Sequence, residues 1–491
     1  MKESTRIVSA IICIALVVFT IFAGKNGVLG EEQVQTDKDS LIIWYTDDTL
    51  TDYLSAMAVE YNEVYGVRVI PKLKAGGDYV ESVYRASIDN NGAPDLYLLG
   101  SDVLEKAYMS GCAVEIQNVG DAVSPDTFPK AALSAVTYHD KLVAYPYYFE
   151  TTALLYNKTY LKEMATNLVL AENSEIPENS GEDIDISELD TDLSEEELEV
   201  LIEAKVEEFI PKNFEQLLNL ADKIDAPEGV ETIFKWDVRS IFHNYFFVGG
   251  YVDIGGVNGD DETVMDLYNA NAVTAFQVFQ DMNQFFSFES SDVTYKQVLE
   301  EFIQGKLIYA TVTTDALKAL SKAVSEGEFT SEYGFAMIPD LTEDMITRSL
   351  SETNSIVING YSDKKGRANA FAQFLCLGHG AELYEKTGKM PARSGIIEAG
   401  SPEYAFVEEY TYSTPMPKLM ETSNYWLLME STFAYVWAGK DASLGLKELS
   451  EQIKLQITGE EVVEEYINPV NEKEIIEYLD EEALREEALQ E

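Results

Sequence analysis

Acidic residues occur where short apolar segments of the chain give way to polar loops. Asp48 lies in the loop 46–48 and Asp102 lies in the loop 100–102, each directly after an apolar run. A carboxylate accepts hydrogen bonds at two oxygens and pairs with cations, so these residues are suited to binding hydroxyl or ammonium groups. An aspartate at the start of a helix also commonly caps its free N–H groups. The residues alone leave both roles open.

The segments around these loops predict alternating strands and helices. The predicted strands are at 41–45, 67–70 and 96–99, and the predicted helices are at 50–65 and 79–90. This order is typical of a mostly parallel sheet with helices on both faces. Because such sheets bind ligands at the carboxyl ends of their strands, we expect the loops 46–48, 76–78 and 100–102 to meet there.

The composition excludes several classes of protein. The chain has 491 residues, which suggests two or three domains, and its 46% apolar content is ample for buried cores. The formal net charge is −52, with a pI near 4.2. A surface this acidic repels phosphate backbones, so nucleic-acid binding is excluded as a function.

Histidine and cysteine are too scattered to indicate a metal or redox site. The histidines are His139, His243 and His379, and no HExxH or similar zinc pattern includes them. Cys112 and Cys376 show no metal or redox spacing and are expected to be packed free thiols. We therefore predict no cofactor and no metal site.

The N-terminus predicts export. Lys2 and Arg6 precede an apolar run at residues 7–23, which is the arrangement of a signal peptide or a short membrane anchor. The polar residues 24–40 indicate a tether. The predicted location is therefore the extracellular face of the cytoplasmic membrane, with the protein either anchored there or secreted.

Two acidic segments interrupt the alternation of strands and helices. Residues 172–192 predict a flexible surface insertion, followed by an acidic amphipathic helix at 195–209. Calcium binding is disfavoured in the insertion, because its aspartates lack the glycine and the terminal glutamate of an EF-hand at the required offsets. The tail after residue 459 is acidic and has a helical pattern, which indicates a solvated surface helix.

Six segments together resemble the family 1 extracellular solute-binding proteins of carbohydrate ABC transporters, the group that contains maltose-binding protein. The longest covers residues 141–158, where KLVAYPYYFE leads on to LLYNK. The others are IPKNFEQL at 210–217, FIQGK at 302–306, GFAMIP at 334–339, GKMPAR at 388–393 and the glycine-led segment 439–449. They occur in the order of the family and span about residues 40 to 455.

The resemblance implies an α/β protein with two lobes, a periplasmic-binding-protein type II-like fold with mixed sheets, helices on both faces and a hinged cleft. We accordingly expect five parts: an anchor and tether at 1–40, a first lobe at 41–145 plus 336–395, a second lobe at 146–335 with an acidic insertion at 171–208, C-terminal helices at 396–458 and an acidic tail at 459–491. One feature departs from many family members. Cys13 lies inside the apolar run without a small residue before it, which favours an uncleaved anchor over a lipidated cysteine.

The resemblance also implies a set of ligand-binding residues. Asp315 falls on a position that is aromatic in the maltose-type protein, which suggests a different ligand or a rearranged subsite. Carboxylates suit sugar hydroxyls, and an indole covers the apolar face of a pyranose. The expected ligand-binding residues are Asp48, Asp102, Glu150, Asp237, Arg239, Asp315, Tyr425 and Trp426.

The resemblance implies a monomeric, non-enzymatic protein that closes on a carbohydrate and presents it to the permease subunits of an ABC importer. Three alternatives stay open. Acidic and aromatic residues would also bind a cationic solute such as a polyamine. Paired carboxylates such as Asp102 and Glu150 are the groups that a secreted glycoside-acting enzyme would use. A sensor that partners a membrane kinase would have the same sequence features.

Overall fold

The computed structural model describes residues 40–89, 92–173, 193–223, 226–286, 293–420 and 424–468. The predicted signal or anchor, most of the acidic insertion and the end of the acidic tail lie outside these ranges. Among the helices within them, none combines the length and apolar character that crossing a bilayer requires. The acidic helix predicted at 195–209 is confirmed as Glu195–Phe209, and a capping box at Ser194 and Glu197 begins it.

The strands are numbered here in chain order. They are β1 Leu41–Tyr45, β2 Val69–Leu73, β3 Leu96–Gly100, β4 Thr137–Tyr138, β5 Lys141–Leu142, β6 Tyr145–Glu150, β7 Thr152–Asn157, β8 Thr232–Lys235, β9 Asp253–Gly255, β10 Asp261–Asp266, β11 Leu307–Thr313, β12 Tyr333–Ala336, β13 Leu350–Ile358, β14 Met390–Pro391 and β15 Thr414–Pro415.

The α-helices are numbered in the same way. They are α1 Thr51–Tyr65, α2 Tyr79–Asp89, α3 Leu104–Met109, α4 Lys130–Val136, α5 Lys158–Asn173, α6 Glu195–Phe209, α7 Phe214–Lys223, α8 Ile241–Asn244, α9 Ala270–Phe286, α10 Tyr295–Ile303, α11 Ala316–Glu326, α12 Lys365–Gln373, α13 Gly380–Thr387, α14 Tyr404–Tyr412, α15 Tyr425–Trp437 and α16 Ala442–Thr458. A single 3₁₀ turn at Asp48–Leu50 is separated from the end of β1 by two residues, and another at Ser101–Val103 follows β3 directly.

Residues 41–89 and 92–100 form the alternating strands and helices that their pattern predicts. All five residues of β1 are buried, and β1 pairs in parallel with both β2 and β3. Helix α1 ends at Gly66, whose φ of 68° is the left-handed conformation that glycine adopts without strain. The sheet is mixed rather than mostly parallel, because β13 and β14 run antiparallel to their neighbours.

Two sheets form the framework of the molecule. The seven-stranded sheet has the order β14-β6-β13-β3-β1-β2, with β15 pairing with β13. The four-stranded sheet has the order β12-β7-β11-β8. Helices α9 and α15 pack together beside the four-stranded sheet, where the Phe276 and Phe433 ring centroids are 4.5 Å apart.

The chain passes from one sheet to the other at a junction that we call the crossover, residues 150–152 and 349–352. Strand β6 of the seven-stranded sheet ends at Glu150, and β7 of the four-stranded sheet begins two residues later. The Thr151 hydroxyl donates to the Leu350 carbonyl oxygen at 2.9 Å, and the Thr152 hydroxyl donates to the Ser349 hydroxyl at 3.0 Å. These polar groups are fully buried, so the hydrogen bonds hold the two passes of chain side by side.

A buried aspartate joins the first strand to the loops behind it. Asp95 is 7% exposed, and its carboxylate accepts from the Ile42 amide at 2.9 Å and from the Ser362 hydroxyl at 2.6 Å. The Lys364 ammonium lies 3.6 Å away and balances its charge. Both oxygens are therefore used to fix the start of β3 against β1.

We predict that Asp95→Ala lowers the free energy of unfolding by about 2–4 kcal/mol, because it leaves a buried amide and hydroxyl without an acceptor. The measurement is urea denaturation followed by circular dichroism. The control is Asp126→Ala in an exposed turn, which is expected to change stability by less than about 0.5 kcal/mol. An Asp95→Ala protein as stable as this control would contradict the structural role of Asp95.

Candidate functional site

The loops at the carboxyl ends of β1 and β3 meet at one edge of the seven-stranded sheet. A cavity of about 190 Å³ there is lined by residues of the loops 46–48, 76–78 and 100–102, among them Asp47, Gly76 and Gly100. Tyr148 from β6 and Asn354 from β13 complete its wall. The convergence of these loops that the strand order predicts is confirmed.

Lys389 forms the salt bridges at this edge of the sheet. Its ammonium lies 2.9 Å from Asp47 Oδ2 and 3.1 Å from Glu150 Oε1, and 5.2 Å from the centre of the Tyr148 ring. Burial alone would lower the pKa of Lys389, but the Glu150 and Asp47 carboxylates outweigh it and raise that pKa above its usual range. Lys389 therefore stays charged and binds the two carboxylates together.

Two further carboxylates flank Gly100. A Cβ placed on Gly100 would lie 2.6 Å from Glu352 Oε1 and 2.8 Å from Asp102 Oδ1, so no larger residue fits there without moving them. Burial, followed by the nearby charges of Asp102 and Glu150, raises the pKa of Glu352 to about 8 against a smaller opposing effect of Lys389. Burial also raises the pKa of Asp102. This pair therefore resists carrying two negative charges at neutral pH.

A second acidic group lies at the end of the four-stranded sheet. Tyr295 joins its members: its hydroxyl donates to Asp315 Oδ1 at 2.6 Å, and its backbone N–H donates to Asp237 Oδ2 at 2.9 Å. The Thr313 hydroxyl also donates to Asp315. Both aspartates are thus held in fixed orientations at the ends of β11 and β8.

His243 lies against this second group. Its ring is 6% exposed and is 4.7 Å from the Tyr295 ring, measured between centroids. Burial lowers the pKa of His243 to about 4, although Asp237 and Asp315 act in the opposite direction. The imidazole is therefore neutral at physiological pH. Within the described residues, neither of its ring nitrogens has a hydrogen-bond partner.

The two acidic groups lie on opposite sides of the crossover. Strand β11 is antiparallel to β7 with Thr313 opposite Thr152, so Asp315 lies at the crossover end of β11. Strand β8 is parallel to β11, which brings Asp237 to the same end. Strands β6 and β3 also end at the crossover, since both are antiparallel to β13, which begins there. Carboxylates at strand ends of both sheets therefore lie near the crossover.

Aromatic residues at the start of α15 lie beside the four-stranded sheet. Tyr425 is fully buried, and its hydroxyl lies 3.2 Å from the Tyr245 hydroxyl, which makes it part of the core. Trp426 is partly buried, with its ring centroid 4.8 Å from that of Tyr425 and 6.0 Å from that of Tyr245. Of the two, Trp426 is the side chain with surface left for a ligand.

The remaining predicted site residues lie at the surface. Asp48 is exposed in its 3₁₀ turn, while its neighbour Asp47 pairs with Lys389. Arg239 is exposed, and its backbone N–H donates to Asp237 Oδ1 at 3.0 Å. Sequence reasoning did not find several residues that lie among the expected ones in the structure. They are Asp47, Tyr148, His243, Tyr295, Glu352 and Lys389.

The side chains of the two acidic groups and of Trp426 suit polar organic ligands. In the part of the chain that the structure describes, no group of three or more histidine, cysteine, aspartate or glutamate side chains is placed to hold a metal ion. Cys112 and Cys376 are free and buried, as predicted. Carboxylates, tyrosine hydroxyls and an indole are the groups that hydrogen-bond to hydroxyl or amino groups and cover apolar ring faces.

The chain matches a known protein family. A family model described as bacterial extracellular solute-binding protein matches residues 56–410. No curated protein sequence matches the chain.

Solved structures match the fold over most of the chain. A cyclo/maltodextrin-binding protein in complex with maltotetraose has a TM-score of 0.67 at 18% identity, covering 86% of this chain and 98% of its own. An extracellular solute-binding protein from Staphylococcus aureus in complex with maltose has a TM-score of 0.66 at 18% identity, covering 86% and 98%. A Thermus thermophilus maltotriose-binding protein has a TM-score of 0.58 at 17% identity, covering 86% and 99%. The two-lobed α/β fold is thereby confirmed.

We predict that Glu352→Gln stabilises the ligand-free protein increasingly as pH rises. The pKa of Glu352 lies near 4.5 in the unfolded chain and at about 8 in the folded protein. The stability that the folded-state proton contributes is therefore complete below about pH 4.5 and is lost as pH rises through about 8. Glutamine imitates the protonated acid at every pH, so its advantage grows by about 1–3 kcal/mol between about pH 5 and about pH 9.

This difference is measured by urea denaturation of both proteins across that pH range. Glu63→Gln, on the exposed face of α1, is the matched control and is expected to show no pH-dependent difference. A constant offset between Glu352→Gln and the unmodified protein would mean that Glu352 is ionised throughout.

Proposed function

The chain belongs to the bacterial extracellular solute-binding protein family, and on this basis we propose that it binds a carbohydrate between its two lobes and delivers it to an ABC importer. The observation that carries the proposal is the position of the carboxylates. Asp102 and Glu150 lie at strand ends of one sheet, and Asp237 and Asp315 lie at strand ends of the other, on the two sides of the crossover. Hydroxyl groups of a sugar placed there meet fixed acceptors from both sides.

Hinge closure is the proposed mechanism. A ligand that contacts one acidic group stabilises the closed state, because only closure brings the second group into contact as well. The chain crosses between the sheets through residues 150–152 and 349–352, most of which are buried, and in this proposal small backbone rotations there move one sheet relative to the other. The closed form is then the one that a permease recognises.

The ligands of structurally similar proteins guide the choice of sugars. Those proteins were solved with maltotetraose, maltose and maltotriose. We propose an oligosaccharide or a sugar derivative for this chain, with a subsite unlike theirs at Asp315, where a carboxylate held by Tyr295 takes the position expected to be aromatic.

The proposal includes a division into lobes. Strand pairing supports boundaries at the crossover rather than at residues 145 and 336, because β6 pairs within the seven-stranded sheet and β12 within the four-stranded sheet. The first lobe then comprises residues 41–150 and 350–395, and the second comprises residues 152–336. Helices α15 and α16 accompany the second lobe, against which they pack.

The cellular setting is also part of the proposal. We propose that residues 1–40 export the protein and attach it to the outer face of the cytoplasmic membrane, and that it acts as a monomer with permease subunits as partners. We propose no catalytic role. Carboxylates bound by Lys389 and Tyr295 are engaged in hydrogen bonds, and a sugar incubated with the protein is expected to be recovered uncleaved by chromatography.

We predict that Asp102→Ala and Asp315→Ala each weaken carbohydrate binding by at least about tenfold, because each removes a charge-assisted acceptor from one side of the site. A thermal-shift screen of neutral mono- and oligosaccharides identifies the ligand, and calorimetry gives the affinities. Glu63→Ala serves as the control, and its affinity is expected to be unchanged. A ligand that tolerates loss of either aspartate would place the site elsewhere.

We predict that Trp426→Ala abolishes ligand binding while the fold is retained, because the indole is the partly buried aromatic surface available to a sugar ring. Binding is measured by calorimetric titration and the fold by circular dichroism. Leu427→Ala, at the neighbouring exposed position, is the matched control. Unchanged affinity in the Trp426 variant would remove this residue from the site.

A further inference from the structure

The cavity at the carboxyl ends of β1 and β3 has room for only part of an oligosaccharide. Its volume is about 190 Å³, whereas a pocket that encloses a whole drug-sized ligand has roughly 300–1,000 Å³. The volume corresponds to that of roughly six water molecules in the liquid. The cavity therefore accommodates one sugar ring and excludes a second ring joined to the first.

The inner end of this cavity is closed by buried side chains. Four of the residues that line it are no more than 8% exposed: Leu50, Tyr79, Leu98 and Tyr148. They belong to two buried apolar clusters, so protein and not solvent lies behind them. Thr46 and Gly76, which also line the cavity, are exposed and form its open side. A saccharide can therefore enter the cavity by one end and cannot pass through it.

Tyr79 brings an unused hydroxyl group to this cavity. Its ring packs edge-on against the Tyr97 ring at the start of α2, with the centroids 6.0 Å apart. Within the described residues the Tyr79 hydroxyl has no hydrogen-bond partner, although the residue is only 8% exposed. Burial raises the pKa of Tyr79, so the hydroxyl keeps its proton. A buried donor without an acceptor is destabilising, and a ligand that accepts its hydrogen bond removes that cost.

We propose that the cavity receives the terminal ring of a saccharide, so that the protein recognises a free end of its ligand, and that the Tyr79 hydroxyl donates a hydrogen bond to that ring. This inference rests on the proposed function for the rest of the ligand. Asp47 and Asn354 line the same cavity and supply a carboxylate and an amide for ring hydroxyls. The Leu50 side chain and the Tyr148 ring suit the apolar C–H groups of a sugar.

The loop that carries Asp102 connects this cavity with the proposed cleft. Gly100 and Val103, on either side of Asp102 in the sequence, both line the cavity, and β3 ends at the crossover. A saccharide whose last ring lies in the cavity extends past Asp102 towards the acidic group of the four-stranded sheet. End recognition and closure of the two lobes then act on the same ligand.

A substitution that fills the cavity tests whether a sugar ring occupies it. A Cβ on Gly76 or Gly77 would meet no atom of the described chain within 4 Å, and of these two glycines Gly76 lines the cavity. Gly76→Phe is expected to weaken saccharide binding by at least about tenfold, because the phenyl ring takes the place of the sugar, and Gly77→Phe to change it by less than about twofold. Circular dichroism verifies that both variants fold.

The measurement is calorimetry of the full chain. The probes are linear trisaccharides of glucose, xylose, galactose, mannose and N-acetylglucosamine, together with α-cyclodextrin, a closed ring of glucose units that has no chain end. At least one linear probe is expected to bind the unmodified protein, and α-cyclodextrin is expected not to bind.

Tyr79→Phe removes the hydroxyl and keeps the ring. It is expected to weaken binding of the linear probe about three- to tenfold, while the urea midpoint of the ligand-free protein stays the same or rises, because the hydroxyl has no partner there. Tyr84→Phe, on the same helix but outside the cavity lining, is the matched control and is expected to leave the affinity unchanged. A merely structural role of the Tyr79 hydroxyl would lower the midpoint and leave the affinity unchanged.

Each other outcome has a distinct meaning. A linear probe that binds equally well to the unmodified protein and to Gly76→Phe overturns the placement of a ring in the cavity and leaves carbohydrate binding intact. Binding of α-cyclodextrin overturns recognition of a free end in the same way. Unchanged affinity in Tyr79→Phe overturns the role of its hydroxyl. Failure of every saccharide probe to bind the unmodified protein overturns the proposed function and this inference together.

Discussion

The site depends on a few buried hydroxyl contacts at the crossover. Thr151 and Thr152 on one pass of chain bond to Leu350 and Ser349 on the other, in surroundings that exclude water. These bonds lie beside the point where Glu150 of β6 pairs with Glu352 of β13, and strand register decides which side chains share an end of each sheet. Without that alignment, Glu150, Glu352 and Asp315 would be unrelated residues on separate strands.

Electrostatic repulsion is the cost of this arrangement. Lys389 offsets part of it by pairing with Asp47 and Glu150, and protonation of Glu352 offsets more. In the other acidic group, Tyr295 and Thr313 supply hydrogen bonds without adding charge. The two acidic groups of the candidate site are thus stabilised in different ways. The first contains the salt bridges of Lys389 and the proton on Glu352. The second contains the hydrogen bonds of Tyr295 and the neutral imidazole of His243.

The sequence predicted the framework better than the details of the site. Apolar runs and helical spacing located β1, α1 and the loop ends, because burial and periodicity are local properties. Asp47, and not Asp48, pairs with Lys389 because of the backbone geometry at the start of a 3₁₀ turn. The spacing of residues in the sequence does not reveal that geometry. Glu352 carries no motif and reaches the site only through strand register across about two hundred residues. Tyr425 is fully buried because of the rotation of α15, whereas its neighbour Trp426 is only partly buried.

Gly100 restricts how this protein can diversify. A Cβ at this position would lie 2.6 Å from Glu352 Oε1 and 2.8 Å from Asp102 Oδ1, so a side chain introduced there displaces at least one of these carboxylates. A change of ligand at this edge is therefore accommodated more directly on the neighbouring strand β13, at the position opposite Glu150, than at Gly100. Because Gly100 has no side chain, β3 is expected to change less than its neighbour β13 when the ligand changes.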